Sequence, residues 1–157
     1  MKIEALKQRE EEIPTQKRKF DIQRDRLKRE LEESEARCKR LQVEQKECEG
    51  EIDQRQTEIK RKDGQLLEVK KNEEYQALLH EIDLLKKQIG IKEERIIATM
   101  LEMDEARARL EADKKRIADE RKRIEDECAK IDAELGVATA DRQQLETQRK
   151  PLADAID

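Results

Sequence analysis

Val69-Lys70-Lys71-Asn72-Glu73-Glu74-Tyr75 is the stretch in which the heptad phase of this sequence breaks, and that break separates one long helix from two. Upstream of it, Leu6, Ile13, Phe20, Leu27, Leu41, Cys48 and Val69 share one phase of a seven-residue repeat. Ile3, Leu31, Cys38, Ile52, Ile59 and Leu66 share the companion phase, so the register holds without a skip from Ile3 to Val69. Continued, it would place seam residues at Glu73 and Gln76. Instead a new ladder starts at Tyr75 and is apolar at every seventh residue: Ile82, Ile89, Ile96, Met103, Leu110, Ile117, Ile124, Ile131, Ala138, Leu145 and Leu152. The stretch itself carries cations suited to one helix's end, an Asn suited to capping, and two carboxylates suited to the next helix's first turn. A turn with Asn72 as the cap of a second helix follows, with the chain folded back on itself.

Composition narrows the fold class to the same answer. Of 157 residues 48% are charged and 34% apolar, and the aromatic residues are Phe20 and Tyr75. A globular domain is about 25% charged and about 45–50% apolar, so a compact enzyme-like core is excluded. Near balance of 36 basic and 40 acidic residues with two prolines favours helix over disorder. The expected fold is all-α, an elongated antiparallel two-helix coiled-coil hairpin with a kinked base. It forms a single unit over 1–157: a base segment 1–13, one helix over 15–70, a second over 72–135 and a closing base segment 137–157. Pro14 and Gly136 set those outer limits, because each can bend or interrupt a helix.

The second helix's other seam is patchy. It follows the ladder by three residues at Leu78, Leu85 and Ala106 and by four at Cys128, Leu135 and Ile156, with Lys92, Asp113 and Glu120 between. In the first helix Glu10, Lys17, Arg24, Ser34, Gln45, Arg55 and Lys62 occupy seam positions. Polar seam residues weaken packing and fix register, so the coil is expected to be soft there.

Catalytic chemistry has no visible residues. The one histidine, His80, has no Ser or Cys partner in a recognisable pocket and reads as an exposed helix residue. Cys38, Cys48 and Cys128 are odd in number, form no CxxC pair and read as small apolar seam residues, so no metal and no cofactor is expected in this chain. No secretory signal and no apolar run long enough to span a bilayer is visible, which points to a cytoplasmic protein without a membrane or small-molecule partner. Two basic stretches stand out, Lys17-Arg18-Lys19 through Arg29 and Lys114-Lys115-Arg116 through Arg123. Folding back near residue 71 is expected to bring them together as a positive band able to attract RNA phosphates without reading bases. The commoner reading is a solvated face. The other candidate site is the tip, Lys70, Lys71, Asn72, Glu74 and Tyr75, as a docking surface for a protein partner.

The run Leu67-Glu-Val-Lys-Lys-Asn-Glu-Glu-Tyr-Gln-Ala-Leu-Leu-His-Glu-Ile82, with the step Ile13-Pro14, resembles a bacterial family of coiled-coil proteins that carry a C-terminal C4-type zinc ribbon. The resemblance implies a helical hairpin serving as adaptor or chaperone, in a family linked to flagellar and type III secretion assembly, to an alternative sigma factor and to RNA. It also implies a zinc site downstream of Asp157. The chain departs from that family in its late-starting first helix. It ends at Pro151-Leu-Ala-Asp-Ala-Ile-Asp157 with no ribbon cysteine pairs, so metal binding and ribbon-borne RNA contact do not carry over.

Overall fold

The computed structural model describes residues 2–156, with side chains from residue 3 to residue 149. It contains two helices, α1 (Lys2–Leu66) and α2 (Asn72–Ile156), joined by a five-residue turn over 67–71. The helices pack antiparallel as a hairpin, as the phase break requires. Each rung of the first heptad seam, from Ile3 on α1 to Val69 in the turn, polar ones included, is buried or half-buried. On α2 the same holds from Ile82 to Leu145; Leu152 and Ile156 lie outside the residues whose side chains are described.

The chain divides into two compact units, one formed by residues 33–111 and the other by residues 1–32 with 112–157. In the first, Leu41, Met103 and Ala106 form a buried cluster with Cys38 against it. The second is organised around Leu27, Ile117 and Ile124, with Phe20, Leu31 and Cys128 packed on them. Thr99, one of the α2 seam positions, is fully buried, and its hydroxyl donates to the Arg95 carbonyl one turn back at 2.8 Å. That bond satisfies the hydroxyl inside its own helix, so a polar residue is tolerated in the seam.

The outer limits of the helices differ from those expected. α1 runs through Pro14 and α2 runs through Gly136, so 1–13 and 137–157 are continuations of the helices and not separate base pieces. Proline removes one backbone donor and crowds the preceding turn. Here its neighbour Ile13 is 1% exposed and Ala138 is buried, so packing on both sides holds the helices through these positions. Gly136 has an ordinary helical backbone, with no φ in the left-handed region.

The polar seam positions are not soft gaps, because they tie the helices together. In the 33–111 unit Lys62 Nζ meets Glu81 at 2.6 Å, Arg55 Nε donates to Gln88 Oε1 at 2.8 Å and Lys92 Nζ meets Glu51 Oε2 at 2.6 Å. Each step down α1, from 62 to 55 to 51, is matched by an equal step up α2, from 81 to 88 to 92. In the other unit Arg142 donates to Glu10 at 2.9 Å, Lys17 pairs with Asp132, and Arg24 reaches Asp21 at 3.2 Å and Cys128 Sγ at 3.4 Å. Such partly exposed pairs add little stability singly, but a mispaired register loses all of them together.

Candidate functional site

The tip is built by the way α1 ends. Leu67 and Glu68 donate to Gly64 and Gln65 through three-residue bonds of 3.3 and 3.1 Å, and Val69 donates to Gln65 at 3.2 Å. This tightened last turn satisfies carbonyls that a helix end leaves without partners. The described residues contain no positive φ, so the reversal needs no glycine within 67–71. Val69 stays half-buried on the seam, while Leu67 is 90% exposed.

α2 begins one residue earlier than a cap at Asn72 requires. The Tyr75 amide donates to the Lys71 carbonyl at 3.1 Å, which makes Lys71 the N-cap residue and puts Asn72 at the first helical position. With Val69 held on the seam, only two residues separate it from the helix, and the backbone reaches helical geometry at Asn72. Glu73 and Glu74 remain in the first turn, where their carboxylates oppose the positive end of the helix dipole.

Lys70, Lys71, Asn72, Glu74 and Tyr75 therefore sit together in the turn and first helical turn, all exposed. Tyr75 is 40% exposed and does not pack as a core cap. Leu67, the most exposed large apolar residue among those described, was not part of the expected tip. Its signal was legible: of the adjacent pair Leu66-Leu67 only Leu66 fits the heptad, so Leu67 must face away from the seam.

The basic triplets do not converge. Lys17 pairs with Asp132, while Arg116 Nη2 donates to Glu30 Oε2 at 2.7 Å. Thirteen residues of α1 separate those two levels, about 20 Å of helix. Thus Lys17, Arg18 and Lys19 lie opposite a part of α2 well beyond Lys114, Lys115 and Arg116. The reason is the antiparallel sense: the start of the 17–29 stretch lies opposite residues beyond the far end of the 114–123 stretch, and only its end reaches the level of Arg116. What the wider basic stretches do share is a groove of about 430 Å³ lined by Arg26, Arg116 and Arg123, with Glu30 and Glu120 among them. The Glu30 hydrogen bond and charge raise the Arg116 guanidinium above its ordinary value, with further support from Glu120 and Asp113. That arginine is committed to carboxylates, which dilutes the positive field the band needs.

His80 is exposed, and the three cysteines are free thiols, Cys48 buried and the others half-buried on the seam. Among the described residues no group of three or more His, Cys, Asp or Glu side chains is gathered to hold a metal ion. Neither helix is long and apolar enough in any window to cross a membrane. No curated protein and no solved structure matches the chain. The seam, the antiparallel pairing and the turn are those of a coiled-coil hairpin, and the family model of the CT398-like coiled coil hairpin domain matches residues 1–157: the chain belongs to that family.

Proposed function

We propose that this helical scaffold is a non-enzymatic adaptor that docks a partner protein on its tip. The observation that carries the reading is Leu67, whose side chain is 90% exposed in a turn closed by backbone hydrogen bonds alone. An apolar side chain left in water contributes nothing to the hairpin, whereas it gives a partner a desolvated anchor. Tyr75, in the first part of α2, is 40% exposed, and Lys70, Lys71, Glu73 and Glu74, which lie between the two in sequence, add exposed charges of both signs. An apolar centre with a charged rim is the usual anatomy of a docking patch.

The resemblance read from the Leu67–Ile82 run makes secretion-apparatus proteins and an alternative sigma factor the first partner classes to try. A photoreactive residue at position 67, compared in cells with the same residue at Glu58 on the exposed shaft, tests the reading. Adducts specific to position 67, lost on Tyr75→Ala, are expected. Equal adducts from both positions would place the partner elsewhere.

A further inference from the structure

The 33–111 unit carries a second apolar face that the hairpin does not use. Leu84, Ile91, Ile97, Met100 and Leu101 are between 45 and 65% exposed. Leu84, Ile91, Ile97 and Leu101 stand on the outer side of α2, away from the seam formed by Ile82, Ile89, Ile96 and Met103, while Met100 flanks that seam. Over about 26 Å of helix they expose several hundred Å², the size of the largest patch on a typical monomer. In so charged a chain that concentration is out of keeping with a solvated face.

The charges on this face choose the occupant. Lys87 and Glu94 both lie among the apolar residues, seven positions apart, about 10 Å and too far to pair within one helix. Lys87 pairs with the exposed Asp83 at 3.2 Å, the kind of pair that reorients at little cost. Laid antiparallel about a twofold axis at Gly90–Ile91, two copies bring each Lys87 to the other's Glu94 and each Leu84 to the other's Ile97. Ile91 of each then meets Gly90 of the other, where a Cβ would find nothing within 4 Å in its own chain. Parallel stacking would set Lys87 on Lys87. Counted on both copies, the face approaches the roughly 1,000 Å² that a specific interface needs. We propose that the α2 face from Leu84 to Leu101 is a self-complementary interface on which a second copy of this chain docks antiparallel.

Sedimentation equilibrium of the full chain over a concentration series tests this, with circular dichroism confirming helicity of each variant. A monomer–dimer equilibrium is expected. Ile91→Glu should weaken it about 100-fold or more, as loss of a central anchor does. Lys87→Glu should weaken it about tenfold by setting like charges together at two symmetric places, and Lys87→Glu with Glu94→Lys in the same chain should restore it. Gly90→Ala should raise thermal stability of the helix yet weaken association. A chain that stays single at every concentration would overturn the proposal. So would association indifferent to Ile91→Glu, which another face or another kind of contact would give, or a charge swap that fails to restore what Lys87→Glu removed.

Discussion

In the unit formed by residues 33–111 the Lys62–Glu81, Arg55–Gln88 and Glu51–Lys92 contacts advance by equal steps on the two helices, whereas in the unit formed by residues 1–32 and 112–157 the steps are unequal. Between the Glu30–Arg116 and Lys17–Asp132 pairs, α1 moves thirteen residues and α2 sixteen. The surplus is visible on α2 itself. Half-buried Asp113 and Glu120 lie three residues after the ladder rungs Leu110 and Ile117, whereas Cys128, Leu135 and Arg142 lie four after Ile124, Ile131 and Ala138, with Glu127 exposed. Such a change of step is a stutter, which locally unwinds a coiled coil. α1 keeps its regular seam past the same level, so the mismatch is absorbed by α2 alone, next to the Arg24 contact with Cys128 Sγ. A heptad ladder read on one helix therefore does not fix which residue of the other helix faces it.

The largest expected effects compare the two cores. Ile117 is 2% exposed in the cluster with Leu27 and Ile124, and Ile117→Ala should cost about 3–4 kcal/mol in urea unfolding followed by circular dichroism. Met103→Ala, in the other unit's cluster, should cost about 2 kcal/mol, since a flexible thioether leaves a site that collapses more easily. Equal losses would mean that the stutter does not make the Ile117 cluster the more tightly required one.

The helix breakers provide the next comparison, with the opposite sign. Pro14→Ala returns a backbone donor to α1 and should stabilise the chain by about 1–3 kcal/mol. Gly136→Ala should add about 0.5–1 kcal/mol, because the new Cβ meets nothing within 4 Å. A loss of stability on Pro14→Ala would show that the α1 backbone is bent there to a shape only proline relieves.

Acid should act on the cross-helix ties of the 33–111 unit. The hydrogen bond and charge of Lys92 hold the Glu51 carboxyl below its ordinary value of 4.5, and Lys62 does the same for Glu81. For groups lowered on folding, the added stability is complete above the unfolded-state value and is lost as pH falls through the folded-state value. Lys62→Met with Lys92→Met should thus lower the urea midpoint at neutral pH and flatten its fall below about pH 4.5 by the same amount, a small one because exposed pairs contribute little. An unchanged acid limb would remove these pairs from the register argument.

The hairpin, its antiparallel sense and the complete α1 seam were legible, because a seven-residue repeat in a chain this polar has one physical use and Tyr75 restarts it out of phase. Thr99 was not, since its hydroxyl is silenced by a backbone carbonyl that sequence does not show. The convergence of the two basic triplets failed for a different reason: in an antiparallel pair the start of one stretch faces the far end of the other, so the triplets that open the two stretches lie at different levels.

The smallest expected effect tests the tip, where sequence and backbone disagree by one residue. Asn72 has the side chain of a cap, but Lys71 accepts the first helical bond, so the capping position carries a residue whose ammonium cannot accept a hydrogen bond from the helix's first amides. Asn72→Ala should therefore change thermal stability by only a few tenths of a kcal/mol, where loss of a true cap would cost about 1 kcal/mol. Lys71→Asn should instead gain about 0.5–1 kcal/mol, as it puts an acceptor at the N-cap and removes a cation from the positive end of the dipole. Should Asn72→Ala prove the costlier change and Lys71→Asn bring no gain, the helix starts at Glu73 in solution. Tyr75 would then fall one position nearer the helix start.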